Sequence, residues 1–286
     1  MDRISKVSYF PGCSLKSSGA DSNYALLSFL EKSGIEAKEL KDWNCCGSSS
    51  VKGIDPELSD KLLGRNLSLA PEKMPMLSPC PGCHMKLRCK QKEYAQSPVK
   101  QKKFEKDQGK KFNPDLDVIN FFDLVPQLEK EGAFKSQQKS LKGLKVAVYY
   151  GCMLSRPPIL KNDSNYYGVM ERIVKSLGGE PVPWSHSSRC CGTYLSAAKP
   201  EIVKRSVETI MSGALKGKAD CIVTACSMCQ LNLEMRAEKS KVPVLFFSDL
   251  ISMAMGTSQR KNWLKRHLID PSPGLIKKGI ICKKAS

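Results

Sequence analysis

Long apolar runs, nucleotide-binding glycine motifs and a secretory leader are all missing from this chain of 286 residues. A membrane-spanning helix needs ~18–20 uninterrupted apolar residues. The most apolar stretches here, Val242 to Phe247 and Ile251 to Met255, are short and separated by Ser248 and Asp249, so the chain is expected not to be transmembrane. Neither Gly-x-Gly-x-x-Gly nor Gly-x-x-x-x-Gly-Lys-Ser/Thr occurs, which removes the usual cradles for flavin and nucleotide phosphates. Met1-Asp2-Arg3-Ile4-Ser5-Lys6 runs straight into an apparent strand with no apolar leader, and this predicts a cytoplasmic protein whose thiols stay reduced. Acidic residues are scarce, 28 against 46 Lys and Arg, for a net charge of +18 that would steer acidic partners. Aromatics are only 7%, the lysines are spread along the whole chain, and no nucleic-acid-binding signature appears, so no nucleic acid is expected as a partner.

Cysteine, by contrast, is abundant and ordered. Cys13, then Cys45-Cys46-Gly47, then Cys80-Pro-Gly-Cys83 is repeated as Cys152, then Cys190-Cys191-Gly192, then Cys226-Ser-Met-Cys229. The intervening lengths are 31 and 33 residues in the first copy and 37 and 34 in the second, which marks a duplicated unit. With 41% hydrophobic residues over this length the chain can bury a core without disulfide staples. Thirteen reduced cysteines, several as Cys-x-x-Cys, point to metal ligands or redox groups.

The repeat continues outside the cysteines. Val7 to Leu15 corresponds to Val146 to Leu154, a short β-type run ending at a glycine just before the first cysteine. Helical spacing follows at Asp21 to Ser33 (Leu26, Leu27, Leu30) and at Asn165 to Leu177 (Val169, Ile173, Leu177), closed by Gly34 and Gly178-Gly179. A second strand then leads to the Cys-Cys-Gly turn, and a further helix opens at Pro56 or Pro200. Another strand, Met76 to Ser78 or Cys221 to Ala225, delivers the Cys-x-x-Cys, and a last strand-helix pair, Val118 to Leu124 or Val244 to Leu250, closes each copy. The expected fold class is α/β: two pseudo-symmetric repeats, each a small parallel sheet with helices, with the cysteines on loops at strand C-terminal ends. The expected domains are 1–130 and 143–286, joined by a polar linker at 131–142. A basic region, residues 86–111, carries ten Lys or Arg and reads as a solvated face or a docking surface for an acidic electron carrier or another protein of a complex.

Five thiols with a vicinal pair suit a closed tetrahedral zinc site poorly. An iron-sulfur cluster suits them better, because the glycine after each pair allows a sharp turn that would let adjacent sulfurs reach neighbouring irons. Asp42-Trp43-Asn44-Cys45-Cys46-Gly47, Ala225-Cys226-Ser-Met-Cys229-Gln230-Leu-Asn-Leu233 and Leu264-Lys-Arg-His-Leu-Ile-Asp-Pro271, with the tandem cysteine pattern, resemble the B-subunit of CoB-CoM heterodisulfide reductase, a tandem CCG-domain family, in a bacterial-type version. The resemblance implies two non-cubane [4Fe-4S] clusters, one on Cys13, Cys45, Cys46, Cys80 and Cys83, the other on Cys152, Cys190, Cys191, Cys226 and Cys229. It further implies an oxidoreductase acting on a small-molecule disulfide or thiol held between the clusters. The implied partners within a heterodisulfide reductase-like complex are a ferredoxin-type protein, similar to the C-subunit of that enzyme, and a flavoprotein, similar to its A-subunit. Met153 follows Cys152 where that family's methanogen versions are expected to carry histidine; the imidazole that the resemblance would supply for proton delivery is missing, which implies a substrate other than the methanogen heterodisulfide. The alternative is a CCG-type electron-transfer or quinone-linked subunit of a succinate/fumarate, lactate or glycolate oxidoreductase.

Beyond the ten cysteines, His186 and Lys199 flank the second Cys-Cys-Gly and are candidate catalytic groups for proton relay and anion stabilisation; Arg189 is a further anion-stabilising candidate. Trp43 and Trp184 are expected to shield the clusters. Cys221 reads as core, Cys89 as a surface thiol, and Cys282 falls outside the repeat.

Overall fold

The structure is a computed structural model that describes residues 3–48, 51–135, 140–155, 166–239, 241–257 and 259–282. The first repeat forms strands β1 (Lys6–Tyr9), β2 (Glu36–Glu39), β3 (Met76–Leu77) and β4 (Val118–Ile119) in the order β2-β1-β3-β4. The second forms β5 (Lys145–Tyr149), β6 (Glu180–Pro181), β7 (Cys221–Thr224) and β8 (Val244–Phe246) in the matching order β6-β5-β7-β8. Every pairing is parallel, with Tyr9 beside Leu77 in one sheet and Tyr149 beside Thr224 in the other. The expected α/β architecture of two repeats is what forms.

Alternation along the central strands decides which face meets which core. Val7 and Tyr9 of β1, and Val146 and Val148 of β5, enter one core shared by both repeats. Phe10, just beyond β1, and Ala147 and Tyr149 of β5 turn the other way, into separate outer cores. The outer cores are closed by helices Pro56–Ser68 and Pro81–Ala95 in the first repeat and Pro200–Lys216 and Ser227–Arg236 in the second. Both proline starts fall as the sequence predicts, and Asp55 caps the first by accepting from the Leu58 N–H at 2.9 Å.

The shared core is built from helices Ala20–Lys32, Phe121–Lys130, Val169–Ser176 and Phe247–Met255. Each repeat's first long helix reaches across to the other repeat's last. Ser22 Oγ donates to Asp249 Oδ2 at 3.0 Å and Lys32 Nζ to the Met255 carbonyl at 2.8 Å. Reciprocally, Arg172 Nε meets Glu129 at 3.1 Å and the Tyr166 hydroxyl donates to Asp123 Oδ1 at 2.8 Å. Phe121 and Phe247, the same position in the two repeats, stack with ring centroids 4.6 Å apart. The repeats are thus related by an approximate twofold axis.

Within the stretch expected as a polar linker, Phe134 is buried and stacks on Phe29 at 5.5 Å, and Leu141 is buried as well. Its polar residues Ser136, Gln137, Gln138 and Lys139 lie outside the described residues, as does Asn165 at the expected helix start. Among the described residues no helix is long and apolar enough to cross a membrane.

Candidate functional site

Three adjacent strands in each repeat end at the same edge of the sheet, and the chain leaving each one carries cysteine. Cys13 begins the short helix Cys13–Lys16 after β1, Cys45 and Cys46 follow β2, and Cys80 caps helix Pro81–Ala95 after β3. In the second repeat Cys152 lies in helix Gly151–Ser155 after β5, Cys190 and Cys191 follow β6, and Cys226 caps Ser227–Arg236 after β7. This is the position at which parallel sheets present their ligand-binding loops.

The glycine before each first cysteine is a steric requirement. Gly12 has φ +75°, and a Cβ placed there would come within 2.8 Å of Cys83 Sγ. Gly151 has φ +63°, with the corresponding distance to Cys229 Sγ at 3.6 Å. The backbone of the first loop therefore lies directly on the sulfur of the third.

The thiols gather in the same pairs in both halves. Cys45 Sγ is 3.6 Å from Cys13 Sγ, and Cys152 hydrogen-bonds to Cys190. Cys46 and Cys83 sulfurs lie 3.2 Å apart, those of Cys191 and Cys229 3.4 Å. The remaining member of each set, Cys80 and Cys226, lies near enough to its counterpart across the twofold axis that the two thiols shift each other's ionisation, Cys80 downward and Cys226 upward. The two groups of five thus form one continuous array of ten sulfurs at the seam.

Thiol-thiol hydrogen bonds divide the protons unevenly. Bonds from Cys45 and Cys83 hold Cys46 down to about 3 in spite of burial, while Cys45 and Cys83 are pushed up. A bond from Cys229 likewise lowers Cys191 to about 6. Each half therefore favours a thiolate, the form that binds metal.

The two tryptophans are partly buried against the outer cores that include Cys46, Cys80 and Cys83 in one repeat and Cys191 and Cys229 in the other. Trp43 packs edge-on to Phe10 at 5.3 Å, and Trp184 lies 6.2 Å from Tyr149. The Tyr149 hydroxyl donates to the Arg189 carbonyl at 2.5 Å, which fixes the chain entering Cys190-Cys191. Burial, then the surrounding thiols, push its ionisation far up, so Tyr149 stays a neutral donor. Comparison of the two repeat copies was the available signal for this residue, since Phe10 holds its place in the first.

His186 bonds the Ser185 hydroxyl at 3.0 Å and lies against helix Pro200–Lys216, where a Cβ on Gly213 would come within 2.6 Å of its Nδ1. Lys199 is exposed at the start of that helix. His84 is a backbone clamp: its Nε2 meets the Val118 carbonyl at 3.1 Å, as the Gln230 amide meets that of Val244 at 3.1 Å in the other repeat. Burial lowers its pKa to about 4, so the ring is neutral. Cys221 is buried in β7, Cys89 is half-buried beside the Met85 sulfur at 3.7 Å, and Cys282 is exposed. Part of the basic region is neutralised within the fold, with Lys90 against Asp60 at 2.6 Å and Glu93 at 2.7 Å.

Among the described residues, no group of three or more His, Cys, Asp or Glu is arranged around the site of a single metal ion. The donors are all thiols, five to a half, delivered by three loops. A purely thiolate set of this kind fits an iron-sulfur centre, whose ligands sit around several irons.

The cysteine-rich domain family designated CCG matches the chain twice, over residues 7–88 and 146–234. The chain is 30% identical over 278 residues to the 8-methylmenaquinol:fumarate reductase membrane anchor subunit of Wolinella succinogenes, covering 93% of this chain and 97% of that one. It is 25% identical over 274 residues to the B-subunit of the ferredoxin:CoB-CoM heterodisulfide reductase of Methanosarcina mazei, covering 89% and 91%. Among solved structures, a hypothetical protein from Helicobacter pylori shares the fold with a TM-score of 0.71 at 11% identity, over 94% of this chain; the match spans only 53% of that longer chain. With both matched segments carrying the full cysteine pattern on equivalent loops, the chain belongs to the cysteine-rich CCG domain family, in a tandem form shared with proteins named as the B-subunit of heterodisulfide reductase.

Proposed function

We propose that this chain is the iron-sulfur subunit of a heterodisulfide reductase-like complex, in which a small-molecule disulfide is cleaved, or formed, between two non-cubane [4Fe-4S] clusters. Cys13, Cys45, Cys46, Cys80 and Cys83 hold one, and Cys152, Cys190, Cys191, Cys226 and Cys229 the other. The observation that carries this reading is the pair of matching five-thiol sets delivered by equivalent loops at the strand ends of the two repeats, with Cys80 and Cys226 near enough to shift each other's ionisation. When bound, the clusters supply two one-electron centres, the number that a two-electron S–S bond requires. The chain's own residues do the rest. Gly12 and Gly151 let the loops close onto the sulfurs, Trp43 and Trp184 exclude water from the outer side, and Tyr149 holds the Cys190-Cys191 loop in register. The reading gives no role to His186 or Lys199. Electrons come from a ferredoxin-type protein of the complex, fed in turn by a flavoprotein.

The test is anaerobic EPR with iron and sulfide analysis, before and after adding thiols or disulfides to the oxidised protein. About eight irons per chain and a signal that changes on thiol addition are expected for two clusters open to substrate sulfur. A second reading is favoured by the similarity to the Wolinella succinogenes protein: an electron-transfer or quinone-linked subunit of a fumarate reductase. A signal indifferent to every thiol, together with quinol-dependent fumarate reduction by the complex, selects that reading.

A further inference from the structure

A small polar cavity of about 50 Å³ opens at the seam between the repeats, walled by Gly19, Asp21 and Ser22 of the first and by Ser227, Glu234 and His267 of the second. A cavity needs about 10–15 Å³ to admit a water, so this one is large enough for water. Ser227 lines it: the residue directly follows Cys226, is 2% exposed, and its hydroxyl has no hydrogen-bond partner. A buried hydroxyl without a partner costs stability, so the fold itself gives no reason for it. Glu234 and His267 form a buried pair at 3.2 Å with side chains 4% and 7% exposed, and Glu234 also accepts the backbone N–H groups of Val244 and Leu268, both at 3.0 Å.

Nothing in the repeat architecture requires this polar line. Counting from the matched cysteines, Glu234 takes the place of Arg88. Asp249 corresponds to Asp123, whose two oxygens accept from the Asn120 N–H at 2.7 Å and the Tyr166 hydroxyl at 2.8 Å. Asp249 differs: its Oδ2 takes both the Ser22 hydroxyl and the Phe246 N–H, at 3.0 Å each, and its Oδ1 is buried with no partner.

We propose that this cavity is the proton entrance to the thiol array, with the His267–Glu234 pair on its wall passing protons through water entering the cavity to the hydroxyl of Ser227, the residue next to Cys226. The inference rests on the disulfide reading above. Two-electron reduction breaks one S–S bond and forms two S–H bonds, so each turnover takes two electrons from the reduced iron-sulfur partner protein and two protons from solvent. Burial pushes the His267 pKa down, but the Glu234 carboxylate at its Nδ1, with Asp249 and Asp21 beyond, raises it overall. The charged groups facing it from neighbouring elements are those three carboxylates, with Arg260 and Arg266 held on Asp21 at the rim.

The experiment compares the assembled complex carrying Ser227→Ala or His267→Gln with wild type, using a disulfide substrate and a chemical one-electron donor. Ser227→Ala is expected to lower kcat about tenfold with KM, iron content and EPR signal unchanged. Its melting temperature should not fall, because the lost hydroxyl had no partner. His267→Gln keeps a donor for Glu234 but cannot titrate, so the decline of kcat at alkaline pH should disappear. In the metal-free protein, NMR titration should place the His267 pKa above that of free imidazole and show it dropping in Glu234→Gln. Variants within twofold of an active wild type, with its pH profile intact, overturn the proton entrance alone, as does an imidazole pKa at or below the free value. A wild-type complex inert toward every disulfide overturns the disulfide reading and this inference with it.

Discussion

Gly12 and Gly151 occupy the same place in the two repeats but differ in how closely a sulfur approaches, which makes Gly12→Ala and Gly151→Ala a matched pair. Both glycines have positive φ, +75° and +63°, and Gly12, with ψ 163°, lies in the region populated essentially by glycine alone; an alanine held in such a conformation costs about 1–3 kcal/mol. At Gly12 the new methyl would also stand 2.8 Å from Cys83 Sγ, against 3.6 Å from Cys229 Sγ at Gly151. Cys83 cannot simply withdraw, because it is buried and 3.2 Å from Cys46 Sγ. Overpacking of this kind adds about 1–3 kcal/mol, so Gly12→Ala should cost roughly 2–6 kcal/mol in total and Gly151→Ala only the backbone share. Urea unfolding of the metal-free proteins measures the difference, and iron per chain in the loaded proteins should fall for Gly12→Ala while staying near wild type for Gly151→Ala. Equal losses of stability in the two variants would refute the argument that loop and sulfur are in steric contact.

Asp249 is pushed up by burial from an ordinary 3.8 to about 6; the folded state then binds more protons than the unfolded one across that interval, and the residue's contribution to stability worsens as pH rises through it. Asp249→Asn should therefore gain on wild type by ~2 kcal/mol between pH 4 and 7, read from urea midpoints across that range; a gap independent of pH contradicts the assignment. Phe247→Ala removes half of the stacked pair at the shared core and should cost about 3–5 kcal/mol, and with Phe121→Ala the double variant should lose less than the sum of the singles in thermal or urea unfolding. Cys191→Ala should reduce iron content and visible absorbance, whereas Cys221→Ala, in β7 and outside the ten, should leave both unchanged.

The cysteine pattern, the order of elements and the proline helix starts were legible because each has a local cause: a turn, a cap, or a ligand at a strand end. The proximity of Cys80 and Cys226 was not, because it depends on how two sheets pack, and spacing along a chain says nothing about the distance between lobes. Phe134 and Leu141 were concealed by the polar residues around them, although each is buried. His267 was marked in the sequence only as part of the Leu264–Pro271 stretch that carries the resemblance; its setting comes from Glu234, Asp21 and Asp249, which are 33, 246 and 18 positions away along the chain and lie on three different helices. Tyr149 and Glu234 illustrate a signal that was present, since both are positions where the copies of the duplicated unit disagree, and such disagreement marks where the halves have taken on separate tasks.

Phe121 stacked on Phe247, and Cys80 facing Cys226, are each a residue set against its own repeat-mate. Self-contact of that kind is the mark of an isologous interface, the arrangement that two identical protomers adopt in a closed dimer. This single polypeptide thus carries a dimer's symmetry inside a monomer's covalent continuity. Covalent joining removes the dependence on concentration that a true dimer suffers, and it frees the two sides of the axis to diverge, one keeping Arg88 where the other holds Glu234.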